Sequence, residues 1–222
     1  MRETAPDRDR AAFAPMLAKV LDDFKDLATG LPNLHARDLS ELDWWAIGRH
    51  HGLITPLLDW SRSPYVAAFF AFMGFAEEIS PGVQATGDLS PTPLLFPDAT
   101  TKVAIWALKV GPGLEQARHL SVLTPHVDIG HRQRAQRGAF TRLDHDTHLD
   151  VESYLLGLDL DSDHLRQYLV PARETAKALT ELRLMNLTFA TLFPDLQGAA
   201  LQANFETAQF ALTILAQLGL DH

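Results

Sequence analysis

Residues able to take part in chemistry are concentrated in one stretch, Ile47–Ser61, which reads IGRHHGLITPLLDWS. Two adjacent histidines, His50 and His51, precede an Asp-Trp-Ser triplet that begins at Asp59. Imidazole, carboxylate and hydroxyl groups can together bind a polar ligand or carry acid–base chemistry. The same groups also suit folding, because Asp59 and Ser61 stand where side chains cap the first turn of a following helix. The residue types alone favour capping.

A second candidate is the basic segment HRQRAQRGAFTR, which runs from His131 to Arg142 and carries four arginines and no acid. Guanidinium groups bind phosphates well, so a nucleotide or an RNA would be expected to meet the protein here. The formal net charge of −9 argues against general nucleic-acid binding, because an acidic surface repels phosphate backbones. The simpler interpretation pairs these arginines with the acidic remainder of the surface.

Two further classes of site find little support. The segment DHDTHLD holds His145 and His148 three residues apart, but its composition is typical of a solvated acidic loop, so no metal site is predicted. Glycine-rich phosphate loops, the His-Glu-x-x-His pattern and the Gly-x-Ser-x-Gly pattern are all absent.

The secondary-structure elements that must position these residues are predicted in a simple order along the chain: helices, then strands, then helices. Apolar residues at helical spacing predict a helix over Ala11–Ala28, and Ser40 is the expected N-cap of a second. Leu53–Trp60, broken by a proline, is predicted to be an edge strand or extended loop, and an apolar helix follows from Pro64.

Strands are then predicted in KVAIWALKV, LSVLTP and GAFTRL. The segment SYLLGLDLD is ambiguous and could be a strand, and the following DHLRQYLVP could extend it or begin a short helix. An amphipathic helix over Ala172–Asn186 and a long helix ending near Leu218 complete the chain. This order predicts a single α+β domain in which a small mixed or antiparallel sheet packs with helices.

Bulk composition indicates a soluble globular protein. The 222 residues include 46% hydrophobic residues and no cysteine, which fits a reducing compartment, so a cytoplasmic location is predicted. The longest apolar run, Tyr65–Ala76, is shorter than the roughly 20 residues that cross a membrane, so no membrane contact is expected.

Three motifs resemble the FRG-domain family. The first is HHGLITPLLDWSRSP, where the family has His-Tyr-Gly leading into Thr-Arg-Leu-Leu-Asp-Trp-Thr; the others are QRAQRGAFT (Gln133–Thr141) and LRLMNLTFATLFPDLQGAA (Leu182–Ala200). The resemblance divides a single domain of residues 1–222 into an N-terminal helix (1–30), a family-like core (42–200) and a C-terminal helix (201–222). The family's Phe/Tyr-Arg-Gly triplet is absent, and Pro56 replaces the arginine that usually follows Thr55.

The layout of the family is similar to that of ADP-ribosyltransferases, which implies an ADP-ribosyltransferase-like fold, NAD as cofactor, and either ADP-ribosyl transfer or NAD hydrolysis. By this resemblance Asp59, Ser61 and Gln136 would be catalytic. Residues expected to hold the nucleotide are His50, His51, Thr55, Trp60, Arg132, Arg134 and Arg137. A role as a bacterial toxin or phage-defence effector is a further implication.

Two other hypotheses stay open. The missing triplet motivates a catalytically inactive FRG-like module that pairs with a protein partner or forms a homo-oligomer. The arginines between Arg132 and Arg142 motivate an RNA-binding protein, whose binding would weaken with salt.

Overall fold

The computed structural model describes residues 7–31, 39–79, 100–125, 131–144, 150–158 and 164–217. Its helices and strands are α1 (Asp7–Ala28), α2 (Glu41–His50), β1 (Leu57–Ser61), α3 (Pro64–Ile79), β2 (Lys102–Leu108), β3 (Leu120–Leu123), α4 (Arg132–Ala135), β4 (Gly138–Leu143), α5 (Val151–Gly157), β5 (Leu165–Pro171), α6 (Thr175–Leu184), α7 (Phe189–Leu192) and α8 (Leu196–Gln217). No helix in these ranges combines the length and the apolarity needed to cross a membrane.

The strands form two small sheets, so the predicted α+β class is confirmed. One sheet has the order β1-β4-β3, and its strands β3 and β4 are antiparallel, with Leu120 opposite Leu143 and Leu123 opposite Phe140. Strands β2 and β5 form the other sheet. The predicted edge strand is β1, which stands at the end of its sheet. Similarity to ADP-ribosyltransferases stays a prediction.

Helix α2 begins and ends as its sequence predicts. The Ser40 hydroxyl accepts a hydrogen bond from the Asp43 backbone N–H at 3.2 Å, while the Asp43 carboxylate accepts from the Ser40 N–H at 3.1 Å. This reciprocal cap satisfies two donors that the first helical turn leaves open. At the other end Gly52 has a φ of 88°, a left-handed conformation that glycine adopts without steric cost.

Of the two segments with ambiguous patterns, the first begins as a helix, so the strand suggested for it is wrong, and the second is a strand. SYLLG belongs to helix α5, because Asp150 caps its first turn by accepting from the Ser153 N–H at 2.7 Å. Val151, Tyr154 and Leu155 are buried together at helical spacing. LRQYLVP is strand β5, although most of its side chains are exposed.

The chain groups into two compact units, each assembled from separated segments. The first comprises residues 1–60, 108–129 and 138–166. One of its cores surrounds Trp44, Trp45 and Leu57, with Phe140 packed against them, and joins α1, α2 and the three-stranded sheet. A second core surrounds Tyr154. The predicted single domain and its subdivision stay predictions.

The second unit comprises residues 61–107, 130–137 and 167–222. Its core is built from α3, α6 and α7, where the Phe69 and Phe189 rings meet edge to face at 5.3 Å. Full burial of one such side chain is worth about 2–3 kcal/mol. Helix α3 is buried mainly on this face, because Phe70 and Tyr65 remain exposed. An almost uniformly apolar helix is expected to be deeply buried, and α3 is so only on this face.

Candidate functional site

The most prominent polar group of the first unit is the Asp59 cluster, formed by Arg49, Thr55 and Asp59. The Arg49 Nε atom lies 2.9 and 2.8 Å from the two carboxylate oxygens of Asp59, and its Nη2 atom bonds the same carboxylate. Its Nη1 atom donates to the Thr55 hydroxyl at 3.2 Å. The Asp59 side chain is 61% exposed. The cluster therefore fixes a carboxylate in position at the surface.

The local chain path explains how these residues meet. Arg49 is in the last turn of α2, and the turn at Gly52 sends the chain through Thr55 into strand β1, which presents Asp59. The hydrogen bond to Asp59 raises the pKa of Arg49, with burial opposing the shift, so this side chain stays charged.

The remaining predicted residues of this unit adjoin the cluster along the chain. His50 ends α2 and its ring packs edge to face on that of His51, with 4.8 Å between centroids. The Trp60 indole N–H donates to the hydroxyl of buried Thr141 at 2.9 Å, which ties β1 to β4. Trp60 therefore has a clear structural role, and its expected role in holding the nucleotide stays a prediction.

In the second unit the structure brings Ser61 and Gln136 together. The Ser61 hydroxyl donates to the Gln136 backbone carbonyl at 2.8 Å and accepts from the Ser63 N–H at 3.0 Å. The Gln136 side-chain amide donates to the Leu192 carbonyl at 3.0 Å. These contacts join all three motifs that resemble the family. Because both side chains bind backbone groups, they hold the chain in place, and their catalytic roles stay predictions.

Arg132 is also held in a structural contact. Its Nε atom donates to Asp195 at 2.6 Å and its Nη2 atom to the Gln197 side chain at 2.9 Å. Its guanidinium carbon lies 5.0 Å from the centre of the Phe193 ring, within the range of a cation–π contact. By contrast, the Arg134 and Arg137 side chains are exposed. Among the arginines predicted to hold a nucleotide, Arg132 is thus already paired with a carboxylate.

Asp195 and Arg49 are the two important residues that the sequence analysis missed. Asp195 caps α8, since its carboxylate accepts from the Gly198 N–H at 2.9 Å while binding Arg132. A Pro-Asp pair directly before a helical segment was the available signal. Arg49 gave none, because nothing in the spacing links it to a strand residue ten positions later.

The charge of Asp195 should make the free energy of unfolding depend on pH in the acidic range. The Gly198 N–H, and then Arg132, hold the pKa of Asp195 below its ordinary value of 3.8, with burial opposing the shift. Because this pKa is lowered in the folded state, the charged carboxylate contributes its full stabilisation at pH values above 3.8. That stabilisation is lost as the pH falls through the folded-state pKa. Asp195→Asn, which keeps the cap, should cost about 1 kcal/mol at pH 7. Urea unfolding should show this cost shrinking below pH 3.8, and a constant difference would contradict it.

Comparison with known families identifies the first part of the chain. Residues 5–78 match the family model of the FRG domain. The match covers about a third of the 222 residues and contains the whole Asp59 cluster. The resemblance predicted from the motifs is confirmed, since an FRG domain is found over residues 5–78. None of the curated proteins and none of the solved structures matches it.

Metal binding receives no support from the part of the chain that the structure describes. No group of three or more His, Asp or Glu residues suited to a metal ion is found there. In the predicted acidic loop DHDTHLD (Asp144–Asp150), residues 145–149 lie outside the described part of the chain.

Proposed function

We propose that this protein binds NAD or a related nucleotide at the Asp59 cluster and either transfers its ADP-ribosyl group or hydrolyses it. The supporting observation is that Arg49, Thr55 and Asp59 all lie within the matched residues 5–78 and meet at an exposed position. Folding alone does not need such a group at the surface, because exposed ion pairs contribute little to stability. The predicted toxin or phage-defence role follows from the resemblance alone.

The chemistry assigns a distinct task to each residue. When the bond between ribose C1′ and nicotinamide breaks, its electron pair leaves with the nicotinamide nitrogen and positive charge develops on the ribose. The Asp59 carboxylate would stabilise that charge. It would then accept the proton that the attacking water or acceptor group loses as it bonds to C1′. Arg49 would hold the carboxylate in the orientation that the structure shows, and Thr55 would in turn hold the Arg49 guanidinium.

The proposal predicts that the purified protein binds NAD and releases nicotinamide. Binding would be measured by calorimetry, and release by chromatography of the incubated mixture with and without candidate acceptor proteins. Free ADP-ribose would indicate hydrolysis, and labelled acceptor would indicate transfer. If NAD neither binds nor loses nicotinamide under any of these conditions, the proposed function is wrong.

One observation favours the second candidate, a catalytically inactive module that binds another protein. Ser61 and Gln136 bind backbone groups, and the apolar side chains of Ile54 and Leu58 are exposed close to Asp59 in the chain. Exposed apolar residues beside a polar group are typical of protein–protein contacts. A stable oligomer or a stoichiometric partner, combined with no NAD binding, would support this candidate.

A further inference from the structure

We infer that the Arg137 side chain binds a phosphate group in the second unit, and that the chain holds this arginine at a backbone position where folding alone favours glycine. The resemblance names Arg137 as one nucleotide contact among several, and its backbone conformation now distinguishes it from the others. The inference rests on the proposed function only in taking a nucleotide as the source of the phosphate.

The backbone of Arg137 is left-handed, with a φ of 51°. Arg137 directly follows Gln136, the C-cap of α4, and its N–H donates to the Arg134 carbonyl at 3.1 Å. Glycine is the usual residue at this point of a helix end, because the Cβ atom of any other residue meets steric repulsion in the left-handed region. Arginine therefore costs conformational free energy here that glycine would avoid.

The residue types at the other left-handed positions need no such explanation. In the described part of the chain, His131 and Asn186 also have a positive φ, of 60° and 62°. Asparagine and histidine are several-fold enriched in this region, whereas arginine is not. Asn186 also serves the fold, since its carbonyl accepts from the Thr191 hydroxyl at 2.8 Å. Among the three, Arg137 is the residue whose type the backbone does not explain.

Contacts on the adjoining segment keep Arg137 in this conformation. The Gln136 carbonyl accepts from the Ser61 hydroxyl at 2.8 Å, and the Arg137 carbonyl accepts from the Arg62 N–H at 3.0 Å. Both acceptors are backbone atoms, so a glycine at position 137 would keep the two contacts. Non-glycine residues held in the left-handed region cluster at ligand-binding sites, where the strain is retained for function.

The Arg137 side chain is available for a ligand. It is exposed, and its guanidinium makes no hydrogen bond and no ion pair with any residue in the described ranges. Arg132, from the same segment, is by contrast paired with Asp195. The segment from His131 to Arg142 contains no acid that would compete for the charge. A guanidinium that folding does not use suits an anion, and its planar set of N–H groups matches the oxygens of a phosphate.

Calorimetry with ADP, combined with urea unfolding, tests the inference. Arg137→Gly removes both the guanidinium and the strain, so ADP binding should weaken by about tenfold or more while the urea midpoint stays equal or rises. Arg137→Gln removes the guanidinium but keeps the strain. It should weaken ADP binding equally, and its urea midpoint should lie below that of the glycine variant. Adenosine, which has no phosphate, should bind equally to all these proteins.

Two matched controls separate the backbone from the charge. Asn186→Gly replaces another exposed left-handed residue of the second unit by glycine. Arg118→Gln removes another exposed arginine. Both variants should bind ADP as the unchanged protein does, because neither removes the guanidinium of Arg137.

Four results would overturn the inference. They are absence of ADP binding to the unchanged protein, an equal loss of affinity in a control variant, a urea midpoint of Arg137→Gly below that of the unchanged protein, and binding of a short single-stranded RNA where ADP fails to bind. Nicotinamide release, measured on the same proteins, separates this outcome from that of the proposed function. ADP binding that depends on Arg137 without any nicotinamide release would support the phosphate contact and contradict the proposed reaction.

Discussion

Gly198→Ala should destabilise the second unit by about 3 kcal/mol or more. A Cβ atom at Gly198 would lie 1.8 Å from the Phe193 carbonyl oxygen and 2.6 Å from the Phe193 Cβ atom. These are a backbone atom and a Cβ atom, and no change of side-chain rotamer can move them away. A shift of Phe193 would also disturb the ring contact with Arg132 and the cap at Asp195. Urea unfolding followed by circular dichroism would measure the loss.

The matched control is Gly74→Ala in helix α3. Gly74 is exposed, and a Cβ atom there would meet nothing within 4 Å. Alanine in an open helical position should stabilise the protein by about 1 kcal/mol. Opposite signs for the same chemical change would show that close approach of Phe193, and not helix propensity, decides the result at Gly198. Equal signs would show that the geometry at Gly198 is wrong.

Asp59→Asn should lower nicotinamide release by about 100-fold or more, the usual cost of losing a group that stabilises charge in the transition state. The amide keeps the shape of the carboxylate but carries no charge to oppose the developing positive ribose. Binding of NAD should change much less than turnover, because ground-state NAD does not yet carry that charge on its ribose. Steady-state release and calorimetry on the same preparation would separate the two quantities.

Glu41→Gln is the matched control for this prediction. Glu41 is 62% exposed and pairs with Arg142 at 3.1 Å, so it resembles the exposed pair of Asp59 with Arg49 within the same unit. Loss of a surface ion pair should cost less than about 1 kcal/mol and leave turnover unchanged. A comparable fall in turnover would mean that general surface charge, and not the Asp59 carboxylate, supports the reaction.

Local patterns predicted most elements because their physical causes lie within a few residues. Ser40 and Asp43 satisfy helix N–H groups from adjacent positions, and the β-branched and aromatic residues of KVAIWAL suit a pleated strand. The secondary structure of the segments SYLLGLDLD and DHLRQYLVP was harder to predict. The helix α5 depends on the cap at Asp150, and the exposed strand β5 shows no alternation of polar and apolar residues.

The candidate site was less accessible to sequence analysis. The motif pointed to Thr55 and Asp59, but the partner of both is Arg49, whose role arises from the turn at Gly52. The contact between Ser61 and Gln136 joins residues 75 positions apart, and only the folded chain reveals it. Spacing along a sequence cannot show which polar atoms are already engaged by backbone groups.

The strand order β1-β4-β3 has a consequence for how the protein folds while it is synthesised on the ribosome. Strand β1 lies within the matched residues 5–78, but the strand that pairs with it is β4, Gly138–Leu143. The Trp60 indole N–H likewise donates to Thr141, which follows it by 81 residues. Contacts between such distant positions form late and slow folding. The FRG match is therefore not a self-sufficient folding unit: its strand remains unpaired until synthesis has passed Leu143, when β4 can cover it.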